Sequence, residues 1–313
     1  MTITAAVLGR PIAHSKSPLL HRAAFAALDL DGEYLRFDVG AEGLESFLSA
    51  HPDFTGFSLT MPLKDRLVEL ARHFDWELDD TAALTGAGNT LVRRESSTLV
   101  ANTDVQGIVA ALGAPLATAR ESVGRPAGDS AAGARTAVIL GAGATARSAA
   151  VACARLGITE VQFLVRNPDR AQNAVSLCAD LGLRASTGPL TELTPAELLI
   201  STLPAEATPD LRWSPQIRGG VALDVAYAAS SAFLATATRH GVTPVSGTAM
   251  LVGQAVEQFM MFLAAAGDPA GAEVRRRVAA AMHAALESAD PPAGSGGPST
   301  SEPAGPGTGS VGS

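Results

Sequence analysis

Every fixed side-chain cation in the chain is an arginine except at two positions, Lys16 and Lys64. Lysine kept where arginine is the habit points to proton exchange, because an ammonium gives up and regains a proton while a guanidinium stays charged. Lys64 lies in GFSLTMPLKDRL, just past a strand-like run that Pro62 interrupts. Other polar groups stand at comparable places. HSKSPLLH crowds His14, Ser15, Lys16 and Ser17 into one turn after the first strand, where Lys16 would add positive potential for a carboxylate. Thr60 closes a strand, Asn89 enters one in GAGNTLV, and Asn102, Thr103 and Asp104 link a strand to a helix in VANTDVQGI. Taken singly, several have plain structural uses: Ser17 before Pro18 suits an N-cap with proline at N1, and Asp104 suits an N-cap as well. Most of them fall at the carboxyl ends of strands, where open α/β sheets bind ligands.

A second constellation is GAGATA, residues 141–146, which follows the apolar run TAVIL and opens a helical pattern. Gly141 permits a tight turn, Gly143 lets backbone approach a pyrophosphate, and Ala146 is small enough for helix to pack on strand. The turn Gly141-Ala142-Gly143-Ala144-Thr145 would then present helix N-terminal amides to phosphate. The next strand ends in FLVRNPDR with no acid to bind a ribose hydroxyl; Arg166, Asn167 and Arg170 cluster there instead. Arginine pairs with a 2′-phosphate as a forked donor, so the expected cofactor is NADP rather than NAD. Asp169, beyond Pro168, falls in the first turn of the next helix. Thr202, ending the strand LLIST, is placed with the cofactor residues.

The elements that must position these groups alternate along the chain. Strand candidates at ITAAVLG, at the alternating EYLRFDV and at FTGFSLT interleave with helical spacing at about 18–28, in GLESFLSA and in LKDRLVELARHF, which implies a largely parallel α/β sheet. A second α/β unit begins at RTAVIL and continues through VQFLVR, LLIST and VALDVA; from about 247 to 288 the text is helical. Residues 117–134 read as a surface loop at a domain boundary, and residues 289–313, rich in Pro, Gly and Ser, read as a disordered tail. With 313 residues, 47% hydrophobic and 17% charged, the chain supports two domains and two cores; an aromatic share of 4% calls for lean, closely packed helices. A net charge of −8 without a basic stripe argues against nucleic acid. No run of about 18 apolar residues and no signal-peptide pattern are present, so the expectation is a cytoplasmic protein without membrane partner. Cys153 and Cys178 suit a reducing compartment, and no cluster suggests a metal.

With these pieces in place the chain resembles the shikimate dehydrogenase family. HSKSP, TMPLK, GAGNTL, NTDVQG, GAGATAR, VRNPDRA, DVAY and MLVGQA occur in the family's order and cover residues 1 to about 288. The resemblance implies a substrate domain at 1–105 plus 248–288, a Rossmann-type NADP domain at 106–247, and C-terminal helices returning to the first domain. It implies Lys64 and Asp104 as the catalytic pair, with Ser15, Ser17, Thr60, Lys64, Asn89, Asp104, Tyr227 and Gln254 holding the carboxylate and hydroxyls of shikimate. Tyr227 and Met250 would also lie near the nicotinamide. The implied reaction is reversible reduction of 3-dehydroshikimate to shikimate by hydride transfer from NADPH, in aromatic amino-acid biosynthesis. The lysine would serve as proton donor or electrostatic stabiliser, and the aspartate would keep it charged and oriented. The small-molecule substrate would be taken by a monomer or homodimer. The chain departs from the family pattern at Met61, Gly88, Val105 and Val165, positions expected to line the pocket's margins. That leaves quinate or an aminated analogue as alternative substrates, and a non-catalytic NADP-binding sensor as the alternative from another class.

Overall fold

The computed structural model describes residues 2–122, 135–207, 209–227 and 230–289. The first part of the chain alternates strand and helix: β1 (Ile3–Gly9), α1 (Ser17–Leu28), β2 (Gly32–Asp38), α2 (Leu44–Ala50), β3 (Gly56–Leu59) and α3 (Leu63–His73). There follow β4 (Glu77–Leu78), α4 (Asp80–Thr85), β5 (Thr90–Arg93), β6 (Thr98–Ala101) and the long helix α5 (Asp104–Ser122). These strands form one six-stranded sheet in the order β2-β1-β3-β5-β6-β4. It is mixed. β1 runs parallel to β2 and β3, and β4 parallel to β6, while β5 is antiparallel to both β3 and β6.

The second sheet is built from β7 (Thr136–Leu140), α6 (Ala144–Arg155), β8 (Glu160–Val165), α7 (Gln172–Asp180) and β9 (Arg184–Pro189). The short strands β10 (Glu192–Leu193) and β12 (Arg212–Trp213) pair separately and flank β11 (Leu198–Ser201) in sequence. β13 (Val221–Asp224), α8 (Ala232–Arg239) and β14 (Thr243–Ser246) complete it, and α9 (Gly247–Ala265) and α10 (Ala272–Ala289) follow. The order β14-β13-β11-β7-β8-β9 is parallel throughout. Because β7 has β8 on one side and β11 on the other, the winding reverses there, and the Gly141 turn leaves the sheet at that crevice.

Both sheets are covered on both faces, which is why inner strands such as β1 and β7 read as unbroken apolar runs. β1 sends Ile3, Ala5 and Val7 into one core with α1, α9 and α10, and Ala6 and Leu8 into another with α2 and α3. β7 divides the same way, Ala137 and Ile139 toward α5 and α6, Val138 and Leu140 toward α8. α9 joins the two units, packing Met250 in the second unit's core and Leu251, Val252, Phe259 and Phe262 in the first's. Among the described residues it is the one helix long and apolar enough to cross a membrane, and 61% of that window is buried inside the protein.

Two expectations change. Residues 117–122 are the last turns of α5 rather than loop, because Leu116 and Arg120 face inward; the buried Arg120 pairs with Glu197 at 3.1 Å and donates to the Leu156 carbonyl. The rest of that segment, and the tail from residue 290, lie outside the described residues. Ser17 is not the cap of α1 but its first residue: Lys16 holds the cap position, and the Ser17 amide donates to Ser15 Oγ at 3.3 Å. The expected boundary between residues 105 and 106 falls inside the first turn of α5, whose Val105 and Ile108 join the second unit's core.

Candidate active site

The two units meet at a cavity of about 150 Å³. It is lined by Ser15 and Ser17 at the start of α1, Thr60 after β3, Lys64 in the first turn of α3 and Asn89 before β5. Asp104 in the first turn of α5, Tyr227 after β13 and Gln254 on α9 complete the set expected to hold substrate. Met250 lines the same cavity, and Lys16, between the two serines, does not.

Lys64 Nζ donates to Asp104 Oδ2 at 2.6 Å and to Thr145 Oγ1 at 3.2 Å. The pair is nearly enclosed, with side-chain exposures of 13% and 5%, so it is not a solvated surface bridge of negligible strength. Asp104 is not a helix cap: Asn102 Oδ1 accepts from the Asp104 amide at 3.0 Å, leaving both carboxylate oxygens for other work. Asn89 Nδ2 donates to Asp104 Oδ1 at 2.8 Å, so one oxygen faces the asparagine and the other the lysine. The Asn89 amide cannot flip without loss, because the Thr103 amide donates to its Oδ1 at 2.8 Å. Gln254 Oε1 lies 3.4 Å from Asn89 Nδ2, and its own Nε2 donates to the Leu251 carbonyl. Burial raises the Tyr227 phenol above its ordinary pKa, keeping it protonated and able to donate.

Two polar lining residues escaped the sequence reading. Ser58 and Gln258 form the cavity floor: the Tyr34 hydroxyl donates to Ser58 Oγ at 2.7 Å, which donates to Gln258 Oε1 at 2.8 Å. Gln258 Nε2 in turn donates to the Asn89 carbonyl and to Thr90 Oγ1. The signal was present, since Gln258 is one helical turn from Gln254 and Ser58 shares a strand face with Thr60.

A second cavity, of about 310 Å³, shares Thr60, Lys64 and Thr145 with the first and adds Gly143, Ala144 and Thr202. Gly141 has φ +99, and a Cβ there would stand 2.7 Å from Thr202 Oγ1, a hydroxyl that donates to the Leu140 carbonyl. Gly143 opens onto free space and no side chain caps α6, so the first-turn amides face the opening. Arg166, Asn167 and Arg170 stand exposed past the end of β8, outside this cavity. Asn167 Oδ1 is used in accepting from the Asp169 amide at 2.9 Å, which caps the short 3₁₀ turn Pro168–Ala171. The arrangement fits a dinucleotide: an uncapped helix N-terminus behind a glycine turn, with two exposed guanidinium groups at the next strand's end.

Known proteins share this build. The profile of the shikimate dehydrogenase substrate binding domain matches residues 7–91. A shikimate dehydrogenase (NADP(+)) of Rubrobacter xylanophilus is 35% identical over 264 residues, covering 80% of this chain and 87% of that protein. The chain belongs to the shikimate dehydrogenase family. Among solved structures, the shikimate dehydrogenase of Mycobacterium tuberculosis superposes with a TM-score of 0.71 at 33% identity, over 90% of this chain and 99% of that one. The Thermus thermophilus enzyme, solved in complex with NADP(H) and shikimate, gives 0.65 at 30% identity, over 91% and 100%.

Within the family, the departures of this chain are mostly matters of packing. Val105 and Val165 are buried in the second unit's core, and a Cβ at Gly88 would stand 2.5 Å from Val100 Cγ1, whose methyl fills that space. Of the departing residues, only Met61, more than half exposed, lines a cavity, that on the cofactor side.

Proposed function

We propose that this chain catalyses the reversible, NADP-dependent interconversion of 3-dehydroshikimate and shikimate, with Lys64 and Asp104 as the catalytic pair. One observation carries the reading: an enclosed ammonium–carboxylate pair stands where a small polar cavity opens into the cavity of a dinucleotide turn. In this reading the Gly141–Thr145 backbone and Thr202 hold the pyrophosphate and ribose, Arg166 and Arg170 hold the 2′-phosphate, and Met250 and Tyr227 face the nicotinamide. When bound, the cofactor supplies or accepts the hydride. The protein's work is on oxygen. As a ring carbonyl is reduced, charge grows on its oxygen, and Lys64 Nζ meets it with a proton and a positive charge. Asp104, fixed by Asn89, pairs with the ammonium and aims it between substrate and turn. Ser15 and Ser17 offer hydroxyl donors to a carboxylate, and Thr60, Asn89 and Gln254 offer donors and acceptors to ring hydroxyls. The division into a substrate unit at 1–105 plus 248–288 and a cofactor unit at 106–247, and a cytoplasmic monomer or homodimer, belong to the same reading.

The test is spectrophotometric reduction of NADP⁺ by the purified chain with shikimate, quinate and simple hydroxy acids. Turnover with shikimate at the highest kcat/KM is expected. A clear preference for quinate would reassign the substrate, and absence of turnover with every alcohol would leave a binding protein.

A further inference from the structure

We infer that Thr145 is a positioning residue that ties the Lys64 ammonium to the dinucleotide turn, so that the catalytic lysine is fully aligned only when the two units are docked. The inference rests on the proposed role of Lys64 and goes beyond it, since a cofactor site needs only the backbone amide at this position. The Thr145 hydroxyl is the one hydrogen-bond partner that Lys64 Nζ has, among the described residues, in the second unit, at 3.2 Å; its other partner, Asp104 Oδ2, stands at 2.6 Å. Three donors on the ammonium are thus divided among Asp104, Thr145 and the cavity, and two fixed acceptors define where the third points. Thr145 borders both cavities, which makes it part of the wall between the substrate and cofactor sides.

The contact is part of a docked face, not a single long side chain that happens to reach across. Arg147, two residues on in α6, donates from Nε to the Thr85 carbonyl at 2.6 Å and pairs with Asp65, the neighbour of Lys64. Ser148 Oγ accepts from Asn102 Nδ2 at 3.0 Å, and Arg155 reaches Thr81 Oγ1 at 3.2 Å. The helix that begins at the glycine turn is therefore laid against α3, α4 and the loop before α5, and Thr145 is the member of that face that touches the reacting group.

Thr145→Val keeps the backbone amide and the side-chain shape while removing the acceptor; Thr145→Ser restores it. Both are measured with Lys64→Ala as reference, by steady-state kinetics and by fluorescence titration of NADPH in the absence of substrate. We expect Thr145→Val to lower kcat about tenfold, the worth of one hydrogen bond to a charged group, with NADPH Kd within about twofold of the parent and Thr145→Ser close to the parent. If Thr145→Val leaves kcat unchanged, or if NADPH Kd rises by the same factor as kcat/KM falls, the hydroxyl serves the cofactor alone or nothing, and the inference fails. If Lys64→Ala itself turns over normally, the catalytic pair is wrong and the failure lies with the proposed function.

Discussion

Gly107→Ala, a single added methyl, should damage both stability and substrate binding, because α5 and α9 cross at that glycine. A Cβ on Gly107 would stand 2.7 Å from the Met250 carbonyl oxygen, 3.0 Å from the Gln254 amide nitrogen and 3.1 Å from Gln254 Cβ. The first two are backbone atoms of α9, so no rotamer change relieves the contact and the helices must separate. Overpacking of this kind costs roughly 1–3 kcal/mol, against which alanine recovers somewhat under 1 kcal/mol of helix propensity. The net loss expected is up to about 2 kcal/mol, read as a lowered urea midpoint. Separation also carries Gln254 away from Asn89, already 3.4 Å distant, and from Asp104, which starts the same helix as Gly107. KM for the alcohol substrate should rise about tenfold for a displacement well below 1 Å. Gly113, also within α5, is the control: a Cβ there meets nothing within 4 Å, so Gly113→Ala should stabilise by up to about 1 kcal/mol without touching KM. Equal stability of the two variants, or a Gly107→Ala enzyme with parental KM, would refute the account of α5 and α9 as the clamp that sets the cavity.

Lys64→Arg keeps the charge but not the exchangeable proton; kcat should fall at least about a hundredfold, and an enzyme retaining a tenth of parental kcat would leave Lys64 as an electrostatic stabiliser only. Arg166→Ala should raise KM for NADPH about tenfold and leave NADH kinetics unchanged, measured side by side; equal effects on both cofactors would remove Arg166 from the 2′-phosphate site. His21 is fully buried and stacked 3.9 Å from Tyr34, and burial, opposed in part by the neighbouring Gln258 amide, pushes its pKa down to about 3 from 6.5. The unfolded chain therefore takes up a proton below pH 6.5 that the folded chain refuses until about pH 3, so this contribution to stability is intact above 6.5 and drains away as pH falls through that window. Between pH 6 and pH 4.5 the parent should lose roughly 2 kcal/mol more than His21→Phe in denaturant titrations, and parallel curves for the two would show that His21 is not buried neutral.

Much of the fold could be read from the residues because both sheets are sandwiched. Strands covered on two faces must be apolar at every position, so ITAAVLG and TAVIL stand out, and the glycine turn marks the reversal at β7. What stayed hidden was governed by partners distant in sequence. ATARES reads as loop because its one large inward group is an arginine, and Arg120 is tolerated inside a helix face because Glu197, just before β11, and the Leu156 carbonyl reach it. The antiparallel β5, likewise, follows from β3 and β6 accepting it between them, which no local pattern announces.

In the site, legibility followed the same line. Residues at strand ends could be named because the fold class fixes where strand ends point, and Lys64 because arginine is used nearly everywhere else. Residues that act by holding others could not. Gln258 supports Asn89 from 169 positions away, Asn89 holds Asp104, and Thr145 reaches Lys64 from 81 positions away in the chain. Each link is an ordinary amide or hydroxyl whose type carries no special signal, and each gains meaning only once its partner's position is known. A lysine aligned by such a relay depends on the two units arriving together. In the proposed mechanism that dependence has a use: the amine meets the growing negative charge from a place that substrate cavity and dinucleotide turn hold jointly.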